Sequence, residues 1–340
     1  MQPDPIIAAT LIVRDEARCI RRCLESVAPW VDLMVVLDTG STDDTVAIAR
    51  NAGAEVSELV WPNDFSQARN HVLALADADW NLVIDADEWI LSGGALLRDW
   101  CRGPARLGQV CVHSEAEGST APVRSWITRL LPRDARYEGR VHEQVVSHLP
   151  RMPIEVHLGH DGYLDRQLDR KRNRNHPLLL RDLADRPNDP YIVYQLGKDA
   201  EMRGDMLHAC DRYLESLQLT PPTANWRHEL VLQAITALSK ARRLDEALAL
   251  ADAEINAWPN SPDFFFVLGD MLLDQALADP VHAVGHWLPL ASDAWAQCLV
   301  IGERPDLQGS VAGRGSHLAQ HNLDLVRSQL ALFSGQPPAS

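Results

Sequence analysis

The sequence predicts an α/β unit built on a mostly parallel sheet, followed by an all-α array of paired helices. Three observations lead there. Short apolar runs alternate with helix-patterned stretches up to about residue 163, as in successive βαβ units. Acidic residues stand directly after three of those runs, at Asp15/Glu16, Asp38 and Asp85/Asp87/Glu88, and ligands of such sheets gather at the carboxyl ends of strands. From about His176 onward the chain turns to helices rich in Leu and Ala and punctuated by proline. A chain of 340 residues exceeds the ~100 to 200 typical of one domain, so more than one is expected. The α/β domain is assigned to residues 1–165, a basic connecting segment to 166–187 and the helical domain to 188–340.

Residues 6–13 form an apolar run of strand length, and residues 16–27 follow with Ile20, Cys23, Leu24 and Val27 on one helix face. A second strand is expected over 33–37. The Thr39-Gly40-Ser41-Thr42 turn then leads into a helix over 43–51, with Ser41 or Thr42 as its N-cap. A helix over 66–76 precedes a strand over 80–84. This strand ends at Asp85-Ala86-Asp87-Glu88, where strand alternation sends Asp85 and Asp87 to the same side. Beyond residue 176, a 34-residue tetratricopeptide register starting at Pro190 puts Leu196-Gly197, Ala209, Tyr213 and Pro221 on its expected positions. A second unit keeps Leu244-Asp245-Glu246-Ala247 and Pro259. A third opens with Leu268-Gly269 and is interrupted by an insertion over 279–290; residues 317–332 are read as a capping helix. Such units bury their faces only against neighbours, so one short array is expected. It either braces the first domain or presents a groove to a peptide.

The balance of 32 Lys and Arg against 47 Asp and Glu leaves a net charge of −15, which repels phosphate backbones and argues against a nucleic-acid partner. A hydrophobic content of 46% with 23% charged residues is that of a globular chain and excludes disordered and fibrous classes. The run at 6–13 has no basic segment before it and no small-residue cleavage site after it, so it is read as a buried strand rather than a leader. No stretch reaches the ~18 to 20 apolar residues of a membrane span, and the cytoplasm is the expected compartment. The six cysteines include no pair with the two-residue separation of a zinc knuckle or redox motif. Cys19 and Cys23 share a helix face, but reduced, partly buried thiols are the expectation throughout.

Two hard carboxylates at a strand end, Asp85 and Asp87 around the small Ala86, suit Mg²⁺ or Mn²⁺, which keep positions open for phosphate oxygens and water. A solvated acidic turn would look the same in isolation. Taken with Val13-Arg14-Asp15-Glu16, with the strand-turn-helix from Val35 to Thr45 and with Ala68-Arg69-Asn70, however, the pattern closely resembles the nucleotide-binding half of family 2 glycosyltransferases of the GT-A fold. The resemblance covers roughly half the chain. It implies that Glu16 and Asp38 meet the uridine ring and ribose of a UDP-sugar donor. Arg69 stands where a basic side chain helps hold the nucleotide. Asp85 corresponds to the residue near the ribose and metal, Asp87 to the direct ligand of the Mn²⁺ or Mg²⁺, and Glu88 to a residue that orients Asp87 or Arg69.

The segment from Arg136 to Gln144 stands where the family places its acid-base residue, which makes Glu143 the first choice for the base of an inverting transfer and Glu138 its competitor. His142-Glu143 replaces the family's usual Glu-Asp pair. Further on, His157 resembles the histidine that completes the metal shell, with His160 as the alternative. The basic run Arg166, Arg170, Lys171, Arg172 and Arg174 offers cations for a diphosphate leaving group, Lys171 and Arg172 foremost. The chain has no Gly-x-Ser-x-Gly, no Gly-x-Gly-x-x-Gly after the first strand and no Walker A motif, which disfavours hydrolases of that type, dehydrogenases and P-loop NTPases. A nucleotidyltransferase would want a glycine-rich first loop, and residues 13–16 have no glycine. A GT-A domain followed by tetratricopeptide-like helices resembles bacterial peptide and protein glycosyltransferases, so a peptide or protein acceptor is expected. A saccharide or lipid-linked acceptor, a non-catalytic peptide-binding scaffold and homo-oligomer formation are left open.

Overall fold

The apolar run at the start of the chain is strand β1 (Ile7–Val13), buried at every position but the half-buried Ile12, as suits a strand covered on both faces. The computed structural model describes residues 3–114, 123–160 and 165–334, with side chains for all of these except 123, 165–173 and 331–334. Two compact units divide the chain, Met1–Asp182 and Leu183–Ser340. After β1 come α1 (Ile20–Val27), β2 (Leu33–Asp38), α2 (Thr45–Asn51), β3 (Glu55–Glu58), α3 (Phe65–Ala76), β4 (Trp80–Val83), β5 (Glu88–Ser92) and α4 (Leu96–Cys101). They are followed by β6 (Leu107–Ser114), β7 (Val123–Pro132), β8 (Arg136–Glu138), β9 (Gln144–Val146), β10 (Arg151–His160) and α5 (Asp165–Asp185). The segment foreseen as a basic connector thus lies largely in the helix α5.

Eight strands form one sheet in the order β3-β2-β1-β4-β7-β6-β10-β5, while β8 and β9 make a separate hairpin. β3, β2, β1 and β4 run parallel. β7 is antiparallel to β4 and β6; β10 runs parallel to β6, and β5 antiparallel to β10. The chain steps outward from β1 through β2 to β3, then returns to the other side of β1 as β4. The carboxyl ends of β1 and β4 therefore flank the point where the winding reverses, the place where open α/β sheets bind ligands. Alternation along β1 fills both faces: Ile7, Ala9, Leu11 and Val13 belong to a core with α1, and Ala8 to one with Ala68, Val72 and Ala76 of α3.

The second unit contains α6 (Pro190–Met202), α7 (Met206–Leu219), α8 (Arg227–Lys240), α9 (Leu244–Glu254), α10 (Pro262–Ala278), α11 (Pro280–His282), α12 (Leu288–Ile301) and α13 (His317–Ser334). Side-chain caps start three of these helices: Asp189 accepts from the Tyr191 and Ile192 amides, Asp205 from His208 and Ser261 from Phe264. The tetratricopeptide-like positions hold the pairs together. A Cβ on Gly197 would lie 2.5 Å from the Tyr213 ring, and one on Gly269 would lie 2.6 Å from Trp295, so each ring packs directly on the backbone of the partner helix. The interruption of the third pair is α11 with a π-turn over Ala283–Trp287.

Candidate active site

The loops after β1 and β2 are laced together by short polar side chains. Asp15 takes a left-handed φ of 57°, and its amide donates to Ser41 Oγ at 2.9 Å. Asp15 Oδ1 accepts from the Thr42 amide at 2.7 Å and from its hydroxyl at 3.1 Å. The Glu16 amide donates to Thr45 Oγ1 at 2.7 Å. Ser41 and Thr42 are therefore spent on the neighbouring loop, and neither caps α2, which begins only at Thr45. Likewise α1 begins at Ile20, four residues later than the apolar periodicity suggests, because residues 15–17 belong to this lacing. Asp38 is buried at the end of β2. Its Oδ2 accepts from the Gly40 and Ser41 amides, both at 3.0 Å, while Oδ1 is buried without a partner among the described residues.

Past β4 the chain leaves the strand before Asp85 and turns, the Glu88 amide donating to the Asp85 carbonyl at 3.0 Å. This turn overrides the strand alternation expected for Asp85 and Asp87, and it gives the two carboxylates different partners. Asp85 Oδ1 accepts from Arg69 Nη2 at 2.9 Å, and Oδ2 accepts from Arg129 Nη2 at 2.7 Å. These two cations hold the Asp85 carboxyl far below the usual range against the opposing effect of burial. Glu88 is buried beneath, with Oε1 accepting from Arg129 Nη2 at 2.7 Å and Oε2 from the Asp85 amide at 2.9 Å. Burial pushes the Glu88 carboxyl up, against the pull of Arg129. Arg69 bridges further: its Nε donates to Glu143 Oε1 at 2.5 Å. Its neighbour Asn70 fixes β8, donating to the Tyr137 carbonyl at 2.9 Å and accepting from the Tyr137 amide at 2.8 Å.

Asp87 meets a histidine, and it is His160: Nε2 lies 3.4 Å from Asp87 Oδ2, with the two side chains 15% and 13% exposed. Ser114 Oγ is 3.2 Å from the other ring nitrogen, Nδ1. His157, expected to share an ion with Asp85 and Asp87, lies elsewhere. It stands three positions before His160 along β10, so the two side chains leave opposite faces of the strand, and the partners of His157 are His113 and Glu155. Gly159 between them has no room for a side chain, since a Cβ would lie 2.4 Å from the Trp89 indole.

These groups share one cleft of about 350 Å³, lined among others by Glu16, Thr39, Arg69, Asp85, Asp87, Glu143, His160 and Arg174. The tip of the β8–β9 hairpin delivers Val141, His142 and Glu143, with Gly139 at φ 102° and His142 at φ 53° making the bend. Trp61 and Phe65 form an aromatic corner of the cleft, their ring centroids 4.7 Å apart. Glu138 is exposed on β8 and is absent from the lining. Lys171 and Arg172 lie outside the residues whose side chains are described; Arg174, from the same basic run, reaches the cleft and lies over the Phe65 ring at 4.7 Å. Sequence reasoning missed Arg129, Trp61, Phe65 and Asn175. No local pattern marks Arg129, one of two arginines in an otherwise ordinary strand.

Residues 10–144 match the pattern of glycosyl transferase family 2. A TPR repeat-containing protein of Synechococcus elongatus is 32% identical over 303 residues, spanning 84% of this chain and 70% of the relative. The SPbeta prophage-derived glycosyltransferase SunS of Bacillus subtilis is 26% identical over 291 residues, 79% of this chain and 67% of that protein. Among solved structures, glucosyl-3-phosphoglycerate synthase from Mycobacterium tuberculosis, in complex with Mn²⁺, UDP and glucosyl-3-phosphoglycerate, shares 26% identity at a TM-score of 0.27. That likeness covers 33% of this chain and 45% of the synthase, less than half of its length.

Proposed function

This chain belongs to glycosyl transferase family 2, and from that premise we propose that it transfers a sugar, with inversion, from a UDP-sugar to a peptide or protein side chain. The observation that carries the reading is the convergence in one cleft, where the winding reverses, of an Asp87–His160 pair and an Asp85–Arg69–Glu143 chain. Asp87 and His160 are the residues that would hold Mn²⁺ or Mg²⁺. One carboxylate oxygen and one imidazole nitrogen already lie 3.4 Å apart, and this mixed O/N donor set fits Mn²⁺ in particular. Asp85 is the poorer ligand, because each of its oxygens is engaged by an arginine. When bound, such an ion supplies stabilisation for the charge that develops on the diphosphate.

The chain's own residues do the rest. Glu16 and Thr39 line the cleft and offer contacts to the nucleoside, whereas Asp38, next to Thr39, is buried outside the lining, with its Oδ1 unpartnered among the described residues. Arg69 and Arg174 bring positive charge toward the diphosphate. Glu143, oriented by Arg69, takes the acceptor's proton while the acceptor heteroatom bonds to the anomeric carbon and the carbon–oxygen bond to the diphosphate breaks. The helical unit supports a peptide acceptor, since stacked helix pairs form extended concave surfaces that bind chains.

Transfer assays with Glu143→Gln and Glu138→Gln test the assignment. Glu143→Gln should keep UDP affinity and lower kcat by ~10²-fold or more, the usual loss on removing a positioned base, while Glu138→Gln stays near wild type. The reverse pattern would overturn the choice of base. Labelling of free saccharides but of no peptide would overturn the acceptor class.

A further inference from the structure

We propose that Cys111, His113 and His157 form a second metal site, for a thiophilic transition metal of the zinc class, on the strand pair β6–β10. Cys111 and His113 are two apart on β6 and so share a face, and β10 places His157 directly beside Cys111 in register. The three ligand atoms lie within 4.8 Å of one another. Cys111 Sγ is 3.5 Å from His113 Nε2, and His113 Nε2 is 2.8 Å from His157 Nδ1. Zinc bonds of 2.3 Å to sulfur and 2.0 to 2.1 Å to nitrogen in a tetrahedron require ~3.5 Å between S and N and ~3.3 Å between two N. The spacing from Cys111 sulfur to His113 nitrogen is met as it stands, that from Cys111 to His157 lies within the 4.8 Å bound, and the two nitrogens need to part by about half an ångström.

A second, independent feature points the same way. The ring nitrogen of His157 that faces away from the cluster, Nε2, is 3.2 Å from Glu155 Oε2. A carboxylate on the far nitrogen fixes the tautomer whose near nitrogen is free to ligate, the usual arrangement behind a metal-bound histidine. Binding costs one proton, lost from the Cys111 thiol to solvent as the sulfur becomes a thiolate ligand. The proton that otherwise sits between the two imidazoles, on His113 Nε2, moves to His113 Nδ1, since His157 Nε2 already carries the proton it donates to Glu155. Arg124, opposite His113 on β7, adds positive charge that Glu155 offsets. The next positions along the two strands are Ser114 and, beyond Gly159, His160, which bond to each other on the opposite face. An ion here would tie β6 to β10 directly behind His160, the histidine proposed to hold the ion of the cleft.

Cobalt provides the probe. Full-length chain stripped with a chelator under reducing conditions should bind one equivalent of Co²⁺ with a thiolate-to-cobalt charge-transfer band in the near ultraviolet, and Zn²⁺ should abolish the band. Cys111→Ser should lose the band, Asp87→Ala should keep it, and Glu155→Gln should weaken binding by ~10- to 100-fold. Absence of the band in the unmodified chain, or its persistence in Cys111→Ser, would overturn the proposal. Should Cys111→Ser not fold, His113→Gln and His157→Gln decide: both must lose the band, and its retention in either overturns the site.

Discussion

Arg129 is 9% exposed and donates from one nitrogen to two carboxylates, Asp85 Oδ2 and Glu88 Oε1, both at 2.7 Å. Replacing it with Met leaves the buried Glu88 without its cation and the one-third-exposed Asp85 with Arg69 alone, a change that costs ~3 kcal/mol near neutral pH, the lower end for breaking a buried pair. The pH dependence follows from the opposite shifts of the two acids. Asp85 has its folded pKa depressed, so its contribution is present above its ordinary value of 3.8 and is lost as pH falls. Glu88 is raised by burial, so its folded form is favoured below its ordinary value of 4.5 and weakens as pH rises through the folded pKa, a loss that Arg129 limits. The penalty of Arg129→Met should therefore shrink as the pH falls from neutral toward the ordinary glutamate value of 4.5, because the raised Glu88 carboxyl takes up its proton on the way. Urea unfolding at neutral pH and near that value checks this, and an equal penalty would contradict it. Nothing near Arg129 in the sequence announces such a role, because its partners are more than forty positions away. The histidines differ in this respect: both were visible, and only the strand face assigned by β10 decides that His160 meets Asp87.

The helical pairs were the most legible elements, since their contacts are local and their spacing periodic. Leu196-Gly197, Ala209 and Tyr213 fall on the register because the Gly197 backbone must accept the Tyr213 ring. Gly197→Ala and Gly269→Ala should each destabilise the helical unit by ~1–3 kcal/mol through overpacking. Gly285→Ala, where an added Cβ meets nothing within 4 Å, should stay within ~0.5 kcal/mol. Chemical unfolding followed by circular dichroism measures all three, and a tolerated Gly197→Ala would refute the ring-on-backbone packing. In the sheet unit, β1, β2, β4 and α3 were legible as apolar or amphipathic runs. The turn at Asp85–Glu88 and the late starts of α1 and α2 were not. Their causes are long-range: Arg129 and Arg69 stabilise the turn from β7 and α3, and Asp15, Ser41, Thr42 and Thr45 exchange hydrogen bonds between loops distant in sequence.

The whole chain carries a net charge of −15, so its mean field repels a nucleoside diphosphate and affinity has to come from charges inside the cleft. Arg69 and Arg174 supply part of that charge, and their surroundings oppose it: Glu16, Asp85, Asp87 and Glu143 line the same cleft. A bound cation beside Asp87 and His160 reverses that balance, which makes the affinity for UDP metal-dependent in this account. Residue order along the sequence was enough to name the family resemblance and most of the cleft, while the division of Asp85 from Asp87 and of His160 from His157 required the fold. Calorimetric titration of UDP into the full chain, with Mn²⁺ and with chelator, should show binding at least ~10-fold tighter with the ion, equivalent to ~1.4 kcal/mol. Asp87→Ala and His160→Ala should bind as the chelated protein does, and His157→Gln should bind as wild type does. Equal UDP affinity with and without Mn²⁺, or a metal dependence lost with His157 and kept without His160, would contradict it.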